Sequence, residues 1–109
     1  MNYTTLYEAW KKEKEDSSLQ VLEKSFYSEA SALIRSQKDE IQVLDERSLA
    51  AQLLAKQQLR AQKLLAELID ARFKKILRLV FVAKPPSSEL VTLEEASILD
   101  NILSVEEEF

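Results

Sequence analysis

The sequence contains no glycine, no cysteine and no histidine, and its two prolines stand together as Pro85 and Pro86. Without glycine, turns that need a positive φ are hard to build and hairpins are disfavoured, so the chain is expected to be almost wholly helical. Without cysteine there is no disulfide, iron–sulfur cluster or thiolate zinc site, and without histidine the commonest transition-metal ligand and proton shuttle is gone. No cofactor and no metal are expected. The opening "MNYTTLYEAW" lacks the basic lead and apolar run of a secretory signal. The longest uncharged apolar run, Leu79 to Ala83, is five residues, far short of the roughly 20 that span a bilayer. What remains is a chain of 109 residues, 46% apolar and 31% charged, enough for one soluble domain with one core.

Charge is unevenly distributed. Residues 56–84 carry eight basic and two acidic side chains, whereas residues 85–109 carry seven acids and no base. A basic middle beside acidic ends suits phosphate contact, but equally suits helices that pair with one another or with partners.

Four helices are legible. Thr5 and Glu8 have the spacing of a capping box, so a short first helix is expected to start near Leu6. Tyr3, Tyr7 and Trp10 are expected to pin it to the bundle. Phe26, Ala30, Leu33, Ile34, Gln37, Ile41 and Leu44 recur at helical spacing behind Ser25, a candidate N-cap, and define a second helix that ends near Asp45 to Arg47. A third is expected from about Glu46 to about Ala83, closed by the two prolines. Its terminal "LVFVA" also has strand propensity. Thr92 and Glu95 form a second capping box and open a fourth helix; Ser104 and Glu107 form a third, which is read as the start of a further helix.

The third helix poses the central problem. At 1.5 Å per residue it would be about 55 Å long, more than the neighbouring helices can cover. Leu65, Leu68, Ile69, Phe73, Ile76 and Val80 trace one face and are the expected core. Leu64, Leu77, Leu79, Phe81 and Val82 lie off that stripe and are the expected subunit interface. The fold class is therefore all-α, an elongated helical bundle with one long central helix, completed by partner subunits. Arg72 falls near the apolar face and is expected to pair with a carboxylate, such as Glu23, Glu29 or an acid of a partner. On the opposite face, Lys63 with Glu67 and Asp70 with Lys74 have ion-pair spacing.

No enzymatic activity is expected. Glu94 with Glu95, and Glu67 with Asp70, are expected on exposed helix faces, no serine has an accompanying histidine, and no glycine-rich phosphate loop exists. Lys56, Arg60, Lys63, Lys74 and Arg78 form a basic stripe that could follow a nucleic-acid backbone, but two acids interrupt it and it lacks aromatic rings for stacking. A nucleic-acid-binding helical protein using residues 56–84 is thus an alternative reading, as is a generic helical adaptor, and DNA binding is expected to be at most weak and non-specific.

"LQVLEKSFYSEAS", the long helix ending "LIDARFKKILRLVF" and the closing "NILSVEEEF" together resemble the helical domain of an archaeal GINS complex subunit of the helical-domain-first type. Arg72, Lys75 and Ile76 stand as in that family's Arg-x-x-Lys-Ile run. The resemblance implies a non-enzymatic structural subunit that scaffolds the replicative helicase at the replication fork, in the cytoplasm and associated with the nucleoid. It implies as partners other GINS subunits, in a heterotetramer or homo-oligomer, the MCM helicase, a RecJ-like protein, and a primase or polymerase. It further implies residues 1–103 as the helical domain, with 104–109 leading toward a β-rich domain that this sequence does not contain.

Overall fold

A computed structural model of the chain describes residues 1–82, 85–87 and 89–108, with side chains as far as residue 103. Four helices follow in order: α1 (Tyr3–Glu15), α2 (Phe26–Val43), α3 (Leu49–Phe81) and α4 (Leu93–Glu108). No strand occurs among the described residues. The 33 residues of α3 form a rod about 50 Å long, which sets the longest dimension of a molecule of 57 × 27 × 19 Å.

Side-chain caps start α1, α3 and α4, whereas Ser25 stands at the N-cap position of α2 as expected but makes no side-chain cap bond. Asn2, not Thr5, caps α1: its Oδ1 accepts from the Thr5 N–H at 2.9 Å. Asparagine is at least as good an N-cap as threonine, so the helix starts three residues earlier than the Thr5–Glu8 spacing suggests and gains Tyr3 on its apolar side. Asp16 then ends α1 by accepting from the Ser18 N–H and hydroxyl at 2.9 and 2.8 Å, a side-chain turn that needs no positive φ. These two bonds, the backbone one first, hold the Asp16 carboxyl below its ordinary pKa.

The break between α2 and α3 falls where the apolar stripe rotates. Asp45 accepts from the Arg47 N–H at 3.0 Å, and Ser48 caps α3 by accepting from the Ala51 N–H at 3.1 Å. That cap moves the start of α3 from the expected Glu46 to Leu49. At the other end α3 remains helical to Phe81, so the strand alternative for "LVFVA" is not realised as far as Val82; Ala83 lies outside the described residues. The Thr92–Glu95 capping box is complete, with Thr92 N–H to Glu95 Oε1 at 3.0 Å and Glu95 N–H to Thr92 Oγ1 at 3.2 Å. Because α4 runs on through Glu108, Ser104 lies inside a helix rather than at the start of a new one.

Two cores flank α3. In the first, Leu6 of α1 and Phe26 of α2 meet Ala61, Leu64 and Leu68, with Tyr3, Tyr7 and Trp10 packed against them. Trp10 also donates its indole N–H to Glu67 Oε2 at 2.9 Å, so Glu67 serves α1 rather than Lys63. The second core gathers Ile76 and Val80 of α3 with Val91 and Leu99. Between the two cores the connecting segments are stitched by backbone bonds, Leu22 N–H to Leu90 O at 3.3 Å and Leu93 N–H to Lys24 O at 3.1 Å.

Candidate interaction surface and the charged node beneath it

Arg72 is fully buried at the junction of the two cores. A guanidinium has five N–H donors in a fixed fork, and an isolated charge of this kind inside a protein is strongly unfavourable. Here all five are used. Nε and Nη2 grip Glu95 at 2.8 and 2.9 Å, Nη1 reaches Glu13 Oε1 at 2.6 Å and Gln20 O at 2.7 Å, and Nη2 also reaches Leu90 O at 2.8 Å. One side chain of α3 thus fastens α1, the α1–α2 and α3–α4 connections and α4.

The carboxylates are satisfied in turn. Glu13 Oε2 accepts from Lys75 Nζ at 2.7 Å and from the Gln20 N–H at 3.2 Å. Lys75 further faces the carbonyls of Glu13, Asp16 and Ser18 at 2.7, 2.8 and 3.0 Å, placing a cation on the negative end of α1. Glu95 Oε2 accepts the Tyr27 hydroxyl at 2.6 Å. Two cations and two anions balance, which is the condition under which buried charge is tolerated. Burial works against ionisation of Glu95, yet hydrogen bonds from Arg72, Tyr27 and Thr92 outweigh it and hold the carboxyl below its ordinary pKa. Burial and the neighbouring Glu95 raise the Tyr27 hydroxyl pKa, keeping it a donor. Burial also disfavours the charged form of Arg72, but Glu95 and Glu13 reverse that and its pKa lies above the usual value.

Arg72 therefore pairs with carboxylates as its position on the apolar stripe suggests, but not with the expected ones: Glu23 and Glu29 are exposed. The sequence does carry a signal for the true partners. Glu13 lies seven residues after Leu6 on the same helical stripe, and Glu95 lies four before Leu99, so each is an acid on an apolar face.

The expected core and interface residues are partly redistributed. Leu68, Ile76 and Val80 are buried, and Leu65 packs partly buried against the first core. Ile69 and Phe73 are corrections: they are 43% and 41% exposed, because they line an open groove between residues of α2 and α4 that do not close over this strip of α3. Leu64 is a correction in the other direction. It is buried in the first core with Leu6 and Phe26, so it is not a free contact surface. Leu77 and Leu79 are half-buried. Phe81 and Val82 are 84% and 57% exposed at the end of α3.

Of the basic segment, Arg72 and Lys75 are committed to the node, and Lys74 pairs with Asp70 at 2.9 Å in solvent. Lys56, Arg60, Lys63 and Arg78 are exposed. Among the described residues, no group of three or more acids is placed to hold a metal ion, and no helix is long and apolar enough to cross a membrane. No family model, curated protein or solved structure matches the chain.

Proposed function

We propose that the chain is a non-enzymatic structural subunit of a GINS-type complex, whose helical bundle is completed by sister subunits and supports the replicative helicase. The observation that carries this reading is the end of α3. Phe81 and Val82 are 84% and 57% exposed and take no part in the second core, and adjacent exposed apolar side chains on a rod this long leave surface for a partner to cover. The resemblance of the Arg72, Lys75 and Ile76 run to the GINS pattern supplies the family. In this protein the arginine and lysine of that run brace the scaffold from within, a role suited to a protein that positions others. On this reading the partners are GINS subunits, the MCM helicase, a RecJ-like protein and a primase or polymerase, at replication forks in the cytoplasm.

The charged node weakens the nucleic-acid alternative, since Arg72 and Lys75, two of the eight cations of residues 56–84, are spent inside the molecule. The reading is tested by light scattering of the chain alone and after mixing with the GINS-type subunit encoded in the same genome. A defined oligomer, alone or with that subunit, is expected. A monomer that ignores the sister subunit overturns the proposal.

A further inference from the structure

The groove over Ile69 and Phe73 uses neither Phe81 nor Val82 and has a character of its own. Its volume is about 520 Å³, within the range of roughly 300–1,000 Å³ that binding clefts occupy. Three apolar side chains open into it, Ile69 and Phe73 from α3 and Ile98 from α4, each more than two-fifths exposed. Its two walls carry opposite charges: Arg35 on α2 and Glu94 on α4. Both are exposed, and neither forms an ion pair among the described residues. Glu95, deeper in the same wall, is already saturated by Arg72, Tyr27 and the Thr92 N–H. Charge recognition at this groove therefore falls to Arg35 and Glu94, with the exposed hydroxyls of Ser28 and Ser31 beside Arg35 on the α2 wall.

We propose that the groove receives an amphipathic helix of another protein, its apolar stripe on Ile69, Phe73 and Ile98, an acid facing Arg35 and a base facing Glu94. Charge selects the polarity of that helix, because opposite walls of opposite sign accept only one arrangement of flanking charges without placing like beside like. Shape selects a helix over a second copy of the chain. The face is hollow, and a two-fold contact centred on it would set hollow against hollow, leaving unfilled space that a close-packed interface does not tolerate. Length agrees: the floor from Leu65 to Ile76 runs about 16 Å, three turns of a helix presenting residues at i, i+3, i+4 and i+7. The inference does not rest on the GINS reading, and its test uses a different surface from the assembly test above.

The test is selection, against the whole chain, from a display library of helical peptides about fourteen residues long. Apolar residues are fixed at i, i+3, i+4 and i+7, and the flanking positions vary between Glu and Lys. Recovered peptides are expected to carry Glu on one flank and Lys on the other. Ile69→Asp and Ile98→Asp should each weaken their binding by roughly thirtyfold or more, with the cooperative melt retained. The double variant Arg35→Glu with Glu94→Lys, both on exposed positions, should reverse the direction in which a recovered peptide lies along the groove, read from a spin label at the peptide's N-terminus. An empty selection, random flanks, peptides indifferent to both aspartate variants, or a two-fold dimer that covers Ile69 and Phe73 would each overturn the proposal.

Discussion

Arg72 of α3 and Glu95 of α4 face each other in a two-pronged ion pair, Nε to Oε2 at 2.8 Å and Nη2 to Oε1 at 2.9 Å. The same Glu95 closes the capping box with Thr92. The carboxylate that starts α4 is thus the one that fastens it to the rod.

Removal of the cation should be severe. Arg72→Ala leaves Glu13 and Glu95 buried without their partner, which should destabilise the fold by about 3–5 kcal/mol and lower the melting midpoint by roughly 15 °C or more. Arg72→Lys should also destabilise, because one ammonium with three donors does not reproduce a five-donor fork. Thermal unfolding followed by circular dichroism measures both, and a midpoint within a few degrees of the parent would remove the node from the account of stability.

Acid should loosen the node in a defined direction. The Glu95 carboxyl is held below the usual value of 4.5, so its contribution is fully present above the unfolded-state pKa and is lost as pH falls through the lower folded-state value. Urea unfolding at pH 7 and at successively lower pH should show the gap between the parent and Glu95→Gln narrowing as pH falls. A gap constant with pH would contradict the depressed carboxyl. Tyr27 acts oppositely: its raised pKa gives stability that is present below the usual 10.0 and lost as pH rises toward the folded-state value. Tyr27→Phe should remove that alkaline decline.

The end of α3 should govern assembly without governing stability. Phe81→Lys together with Val82→Lys changes exposed positions and sets cations at the negative end of α3, so unfolding free energy should move by no more than about 0.5 kcal/mol. Light scattering should nevertheless show the oligomer shifting toward monomer. An unchanged mass distribution would exclude these two residues from the contact.

Any affinity for DNA should be of the counterion-release kind. Binding should be no tighter than the 10⁻⁴–10⁻⁶ M, roughly, of non-specific contacts at physiological salt. Replacing Lys56, Arg60 and Lys63 by Gln should flatten its salt dependence. A nanomolar, sequence-selective affinity measured by fluorescence anisotropy would restore the nucleic-acid reading.

The helical class, the start of α2 directly behind Ser25, the capping box at Thr92 and the burial of Leu68, Ile76 and Val80 were all legible in the sequence, whereas α2 ends at Val43, two residues before the expected break at Asp45 to Arg47. Each depends on neighbours within about one or two turns, where the 3.6-residue repeat and the unpaired N–H groups of a helix start dictate the outcome. The same local logic favoured Thr5 over Asn2 as the first cap, since it weighed the box spacing above the better capping residue. It also marked Arg72 as a charge in need of a partner.

Which acids would answer Arg72 was decided only by the tertiary structure, because Glu13 and Glu95 lie 59 and 23 residues away along the chain. So was the fate of the stripe on α3. Periodicity says that Leu64, Ile69 and Phe73 are apolar and on which side of the rod they stand, but not where α1, α2 and α4 come to rest on it. The paths of those helices covered Leu64 and left Ile69 and Phe73 open, since burial belongs to the packing of segments distant in sequence and not to the residue itself.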